Sequence, residues 1–292
     1  MKRFFVPLFI FLLILCNSAF LGASELEILG GIEGLSFNPY KTDEYFEPDA
    51  KNELTYYPYV LGKVSFRHDI SEVLNFSVNI ERDKVLQNSI NTIFGIKTDY
   101  INVNFGIFAG SADKFAVPDA GIIGNMELIA AKTVFLSLSG SSTLGSQFGF
   151  TSNNSRETAG VKFGVWIGNA VPSVTADFKT FSRQVEDDIS ITDTLYRFLF
   201  NLDFLIKNTN TTGYFNIGYQ VYSRDYKKDT FGFTDRLNSY FAGLGLCWYG
   251  KPLGFKIGAE VPFVISPEEP LTITGEHLFF SKIYAGFIIT FD

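Results

Sequence analysis

From residue 25 onward the chain alternates apolar and polar side chains with a period of two. Leu74, Phe76, Val78 and Ile80 alternate with Asn75, Ser77, Asn79 and Glu81. Ile101, Val103, Phe105 and Ile107 alternate with Asn102, Asn104 and Gly106, and Phe215, Ile217, Tyr219 and Val221 with Tyr214, Asn216, Gly218 and Gln220. Successive side chains of a strand point to opposite faces, so each such segment makes a strand with one apolar and one polar face. Fourteen segments qualify, near 25–37, 57–67, 72–82, 89–98, 101–110, 119–130, 132–140, 157–168, 172–182, 194–206, 212–223, 237–249, 252–264 and 279–291. Ten residues at about 3.3 Å each, tilted near 40°, rise about 25 Å, the height of the apolar band of a membrane-spanning barrel. Twelve strands is the alternative count, if the tight joints at Asp99–Tyr100 and Ala131 are bends and not turns.

The links between these segments alternate in length. Asn38 to Tyr56, Ser111 to Asp119, Ser141 to Glu157, Arg183 to Asp193, Arg224 to Arg236 and Ser266 to Leu278 are long, and Arg82 to Asn88 is moderate. The intervening links, such as His68 to Ser71, Gly168 to Pro172 and Gly250–Lys251, are tight. That rhythm predicts an up-and-down antiparallel ring with long loops at one end, short turns at the other, and both termini in the periplasm.

The first residues set the compartment. Lys2 and Arg3 precede an apolar run from Phe4 to Leu15, and the small residues Ser18, Ala19, Gly22 and Ala23 lead to the first acid, Glu25. This order reads as a secretory signal peptide, residues 1–23, with cleavage after Ala23; a lipoprotein cut before Cys16 is disfavoured by the bulky Leu15. The remainder, 24–292, is then a single barrel domain with Cys247 as its lone cysteine, which leaves no intramolecular disulfide and no cysteine metal cluster. The net charge of −7 comes with no basic stripe, which argues against a nucleic-acid partner.

At the far end of the chain, Tyr284-Ala285-Gly286-Phe287-Ile288-Ile289-Thr290-Phe291 resembles the C-terminal insertion signal of bacterial outer-membrane β-barrels, porin-like proteins among them. Tyr284, Gly286, Ile289 and Phe291 carry the likeness; Ile289 stands where an aromatic is common, and Asp292 follows the terminal Phe. The resemblance implies an all-β transmembrane barrel in the outer membrane, in contact with its lipid and recognised by the barrel-assembly machinery.

Strand parity assigns the polar face to the lumen, because a charge on the lipid face at mid-depth costs about 2–4 kcal/mol. The channel-lining candidates are Glu33, Lys63, Arg67, Glu81, Lys97, Glu127, Lys162, Asp177, Lys179, Arg197, Asp203, Lys256, Glu260 and Lys282. Acids and bases nearly balance, so the expectation is weak ion selectivity, tilted toward cations at the mouth by loop acids such as Asp43, Glu44, Glu47, Asp49, Glu186, Asp187, Asp188, Glu268 and Glu269. Trp248 and Phe291 are expected in a lipid-interface girdle, and Trp166 in the lumen.

Three functions fit this pattern. The first is passive diffusion of small polar solutes or ions through the lumen, without a cofactor. The second is a barrel that only anchors loops binding a partner at the surface. The third is transport of hydrophobic ligands, weakened because no plug segment precedes the first strand. An enzyme is not expected: His68 sits at a short turn, His277 has no serine two residues away, and metal-ligand spacing is missing.

Overall fold

A computed structural model of the protein describes residues 24–37, 56–111, 119–145, 154–184, 189–207, 209–228, 231–268 and 281–291. The expected leader, the loop acids Asp43 to Asp49, Glu186 to Asp188 and Glu269, together with His277 and Asp292, lie outside the described residues.

Every described element is a strand. They are β1 (Ser24–Phe37), β2 (Tyr56–Asp69), β3 (Leu74–Asp83), β4 (Gln87–Lys97), β5 (Ile101–Ser111), β6 (Asp119–Ala130) and β7 (Val134–Thr143). The second half supplies β8 (Ser155–Val165), β9 (Ala170–Gln184), β10 (Ile189–Ile206), β11 (Thr211–Lys228), β12 (Phe231–Trp248), β13 (Leu253–Glu268) and β14 (Lys282–Phe291). Each pairs antiparallel with its chain neighbours, and β1 pairs with β14 from Ser24↔Phe291 to Glu33↔Lys282, closing the ring. Asp99–Tyr100 and Ala131 are true turns, so the strand count is fourteen.

One end of the ring, the near end, carries both chain ends of the barrel and links of only three or four residues. At the opposite, far end the links run from two residues to eighteen. Two of the expected long loops and the moderate link are therefore corrected. Between Arg224 and Arg236 the strands β11 and β12 stay paired out to Lys228↔Phe231. Strands β9 and β10 take up most of Arg183 to Asp193, and Lys84–Leu86 is a tight turn. A membrane-height template truncates strands that continue into water.

The exterior shows where the membrane stops. On β10, Tyr196, Phe198 and Phe200 point outward and are roughly half exposed. They continue to Phe204, and at about 3.3 Å per residue and a tilt near 40° this stretch rises about 22 Å, close to the apolar band of outer-membrane barrels. Beyond Tyr196 the phase inverts. Ser190, Thr192 and Thr194 now point outward, while Ile189 and Ile191 turn inward and are only 1% and 0% exposed. Neighbouring strands repeat the change, and the outward hydroxyls bond across strands, Thr192 Oγ1 donating to Ser182 Oγ at 2.9 Å and Thr180 meeting Thr194 at 3.2 Å. A period-two strand must put its apolar set toward whichever medium is drier. In lipid that is outside; above lipid it is the core.

Aromatic pairs mark both boundaries of the belt. Phe178–Tyr196 and Tyr219–Tyr240, each with centroids 5.0 Å apart, stand at its far edge, and Trp248–Phe255 at 5.6 Å at its near edge. Trp166 stacks at 4.7 Å on the inward Phe135.

The two storeys predict opposite responses to charge. Phe200→Arg, at mid-belt, is expected to lower folding stability in lipid vesicles by about 2–4 kcal/mol, whereas Ser190→Arg, on the outer collar, shifts it by no more than about 0.5 kcal/mol. Denaturant titration of the refolded barrel measures both, and equal losses would place the membrane boundary elsewhere.

Candidate functional site: the lumen and its in-folded turn

Register places all fourteen channel-lining candidates on the inward face, but at different heights and in different company. In the near half they form cross-strand ion pairs that remain wet. Glu27 on β1 accepts from Lys63 on β2 at 3.0 Å and from Lys256 on β13 at 2.9 Å. Lys162 on β8 faces Asp203 on β10 at 3.8 Å, with both side chains around two-fifths exposed. Arg67 bonds Asp69 at 3.1 Å, and Asn102 donates to Glu127 at 2.8 Å. At mid-height Arg197 donates to Glu260 at 2.8 Å across two intervening strands, its guanidinium 4.5 Å above the Phe241 ring. Asp177 is the register partner of Arg197, and Glu81 that of Lys63. Lys282 lies 4.0 Å from Glu33 near the far end. Lys97 ends β4 at the near rim.

The β3–β4 turn changes the meaning of this lumen. A three-residue turn on a barrel rim ordinarily stands in water, yet Lys84, Val85 and Gln87 are 5%, 4% and 8% exposed. The turn is tucked into the barrel mouth, and four bonds hold it there. Asp83 Oδ1 accepts from the backbone N–H of Val85 and of Leu86, at 2.9 and 2.6 Å, shaping the turn from within. Tyr59 OH donates to the Asp83 carbonyl at 2.8 Å, and the Lys84 N–H donates to Glu33 at 3.1 Å. Gln87 takes a positive φ of 58°, the left-handed conformation that lets the chain re-enter β4.

The remaining Asp83 oxygen pairs with Lys179 on β9. In ring order β9 is six strands from β3, close to the opposite wall. Fourteen strands about 4.8 Å apart and tilted near 40° give a circle about 28 Å across. A lysine side chain reaches only about 6 Å. The pair therefore exists because the tip of β3 leans into the lumen. Burial pushes the Lys84 ammonium well below its ordinary value, with Arg224 pushing the same way and Glu33 pulling against both.

Beside the turn, the β6–β11 wall is packed like a protein core. Asp193 on β10 is fully buried and accepts from Tyr222 OH, from Arg183 Nη1 at 2.7 Å, and from Arg224 through Nε and Nη2. Asp119 on β6 holds Arg156 Nε at 2.8 and 2.7 Å. Phe181 lies against both clusters, with the guanidinium carbons of Arg156 and Arg183 at 4.0 and 5.3 Å from its ring. Gly110 on β5 makes room, since a Cβ there would fall 2.6 Å from Arg156 Nε. Removing one partner of such a buried pair costs about 3–5 kcal/mol, because the other charge is stranded.

Sequence reading assigned Asp83, Lys84, Asp119, Arg156, Arg183, Asp193 and Arg224 to links or strand margins and missed them as a site. The signal was the inverted phase at Ile189, Ile191 and Asp193, which continues the strand with its apolar side switched. His68 sits at the near end on the outward parity of β2, with its Nδ1 2.8 Å from Ser24 Oγ.

A closed ring with an apolar belt outside and ion pairs inside is a membrane-spanning barrel of the outer-membrane type. No known family model matches the chain, and no curated protein matches it. Several solved structures are similar. An outer-membrane channel from Pseudomonas putida F1 is 8% identical, with a TM-score of 0.47 over 92% of this chain and 95% of that one. A loop-deletion mutant of OmpT, an outer-membrane protein of Vibrio cholerae, is 10% identical, with a TM-score of 0.39 over 92% and 99%. A porin is 9% identical, with a TM-score of 0.38 over 92% and 100%. At these values they transfer no residue role and no solute.

The turn's anchorage is testable by thiol access. In a Cys247→Ser background, Val85→Cys is expected to resist a membrane-impermeant maleimide, and adding Lys179→Met should raise its labelling rate at least tenfold. Equal rates would mean that the Asp83–Lys179 pair does not hold the turn.

Proposed function

We propose that this barrel is an outer-membrane channel for passive diffusion of small hydrophilic solutes, held narrow by the in-folded β3–β4 turn. The observation that carries the reading is the contrast along one lumen. Its near half is lined by solvated ion pairs and amides, and its far half is crossed by a short turn that one salt bridge, Asp83–Lys179, ties to the far wall. Among the described residues the turn and its latch bridge the two walls, so a few side chains there narrow the passage.

Glu27 and Glu81 with Lys63 and Lys256, Lys162 with Asp203 and, at mid-height, Arg197 with Glu260 balance in charge, which supports weak discrimination between cations and anions. The C-terminal strand fits recognition by the barrel-assembly machinery, with Phe291 and Ile289 on the lipid side of β14 and Tyr284 and Gly286 on the lumen side. The packed far storey favours a second reading, a barrel that anchors surface loops without conducting.

Planar-bilayer recording separates the two. The native protein is expected to give small stepwise conductance. Replacing Lys84, Val85 and Leu86 together by glycine should raise the single-step conductance at least twofold. Silence from both folded proteins would sink the channel and leave the anchor; equal conductance would remove the turn from the pathway.

A further inference from the structure

The far storey contains hydrogen-bond donors that the fold itself leaves without acceptors. Arg156 Nη1, Arg156 Nη2 and Arg183 Nη2 are sealed from solvent and have no partner. Both guanidinium groups are 2% exposed, so water does not serve them. Their carboxylates are already committed. Both oxygens of Asp119 are held by Arg156 Nε, and Asp193 is occupied by Arg183 Nη1, Arg224 and Tyr222. The orphaned N–H groups thus lie on two arginines that share one aromatic neighbour, Phe181.

A buried donor without an acceptor costs about 1–3 kcal/mol, and more when it is charged, so a cluster of them signals a missing partner. The paired Nη edge of a guanidinium is a planar fork that matches two oxygens of a carboxylate or phosphate. Phe181 and Gly110 crowd the Arg156 guanidinium and limit how far it can swing. The edge is thereby pre-aimed.

We propose that the far storey is a binding site for an oxyanion, the phosphate or carboxylate of a soluble anionic molecule, held by the Nη edge of Arg156 and by Nη2 of Arg183. Both arginines lie on the inward face of β8 and β9, so a lipid headgroup outside the barrel does not reach them. The site stands on its own geometry and does not depend on whether the lumen conducts. If it does, anions have a staging point at the far mouth, opposite in sign to the weak cation preference that the loop acids alone suggest.

Calorimetric titration of inorganic phosphate into the full refolded barrel, in uncharged detergent with ionic strength held constant by chloride, tests the site. Saturable binding is expected in the native protein. It should weaken at least tenfold in Asp119→Asn/Arg156→Gln, which removes the ion pair as a unit and strands no charge. It should persist in Arg236→Gln, which alters an arginine on the outer collar. Acetate in place of phosphate distinguishes a general oxyanion fork from a phosphate-selective one, and both belong to the proposed class. The native protein alone keeps the idea falsifiable if the double variant does not fold: no saturable binding of either anion overturns it. So does unchanged affinity in the double variant, or equal loss in Arg236→Gln.

Discussion

The closure of β1 onto β14 is the constraint from which the rest follows. Inside a bilayer an unpaired backbone N–H or C=O has no water to turn to, so a sheet survives only if its two edges meet. The register from Ser24↔Phe291 to Glu33↔Lys282 satisfies that requirement, and among the described residues no disulfide supports it. Once the ring is closed, inside and outside are defined, and the medium on each side chooses the side chains.

That choice is made twice along the longer strands. In the belt, lipid outside and water inside send phenylalanine outward and charge inward. In the collar, water outside and packed protein inside send serine and threonine outward and isoleucine inward. The same β10 obeys both rules and changes at Tyr196. The molecule is therefore a membrane barrel with a soluble barrel stacked on its far end, and the second storey needs its own core. The β3–β4 turn supplies part of it: Val85 and the lysine stem fill the space, and Asp83 ties the turn to the opposite wall through Lys179.

Filling a barrel with charge is costly unless every charge is matched. Most of these groups meet the requirement. Asp193 takes bonds from three side chains, and Glu27 from two lysines. The exception at Arg156 and Arg183 is the more informative because the carboxylates beside them are so thoroughly satisfied.

The amino-acid sequence alone showed fourteen strands, with twelve as the alternative, their antiparallel order and the side that the residues at membrane height present, because period-two alternation and tight turns are local properties. Lys63, Arg197, Glu260 and Lys256 were legible as inward residues for that reason. Their partners were not, since Arg197 meets Glu260 across two strands only after the ring has curved. The far storey was hidden further still. Asp83 and Lys179 are 96 residues apart, and nothing local in either segment announces the other. Their meeting depends on curvature, closure and the inward lean of one turn, which are properties of the whole ring. Alternation tells a residue which face it is on; only tertiary structure decides what stands opposite.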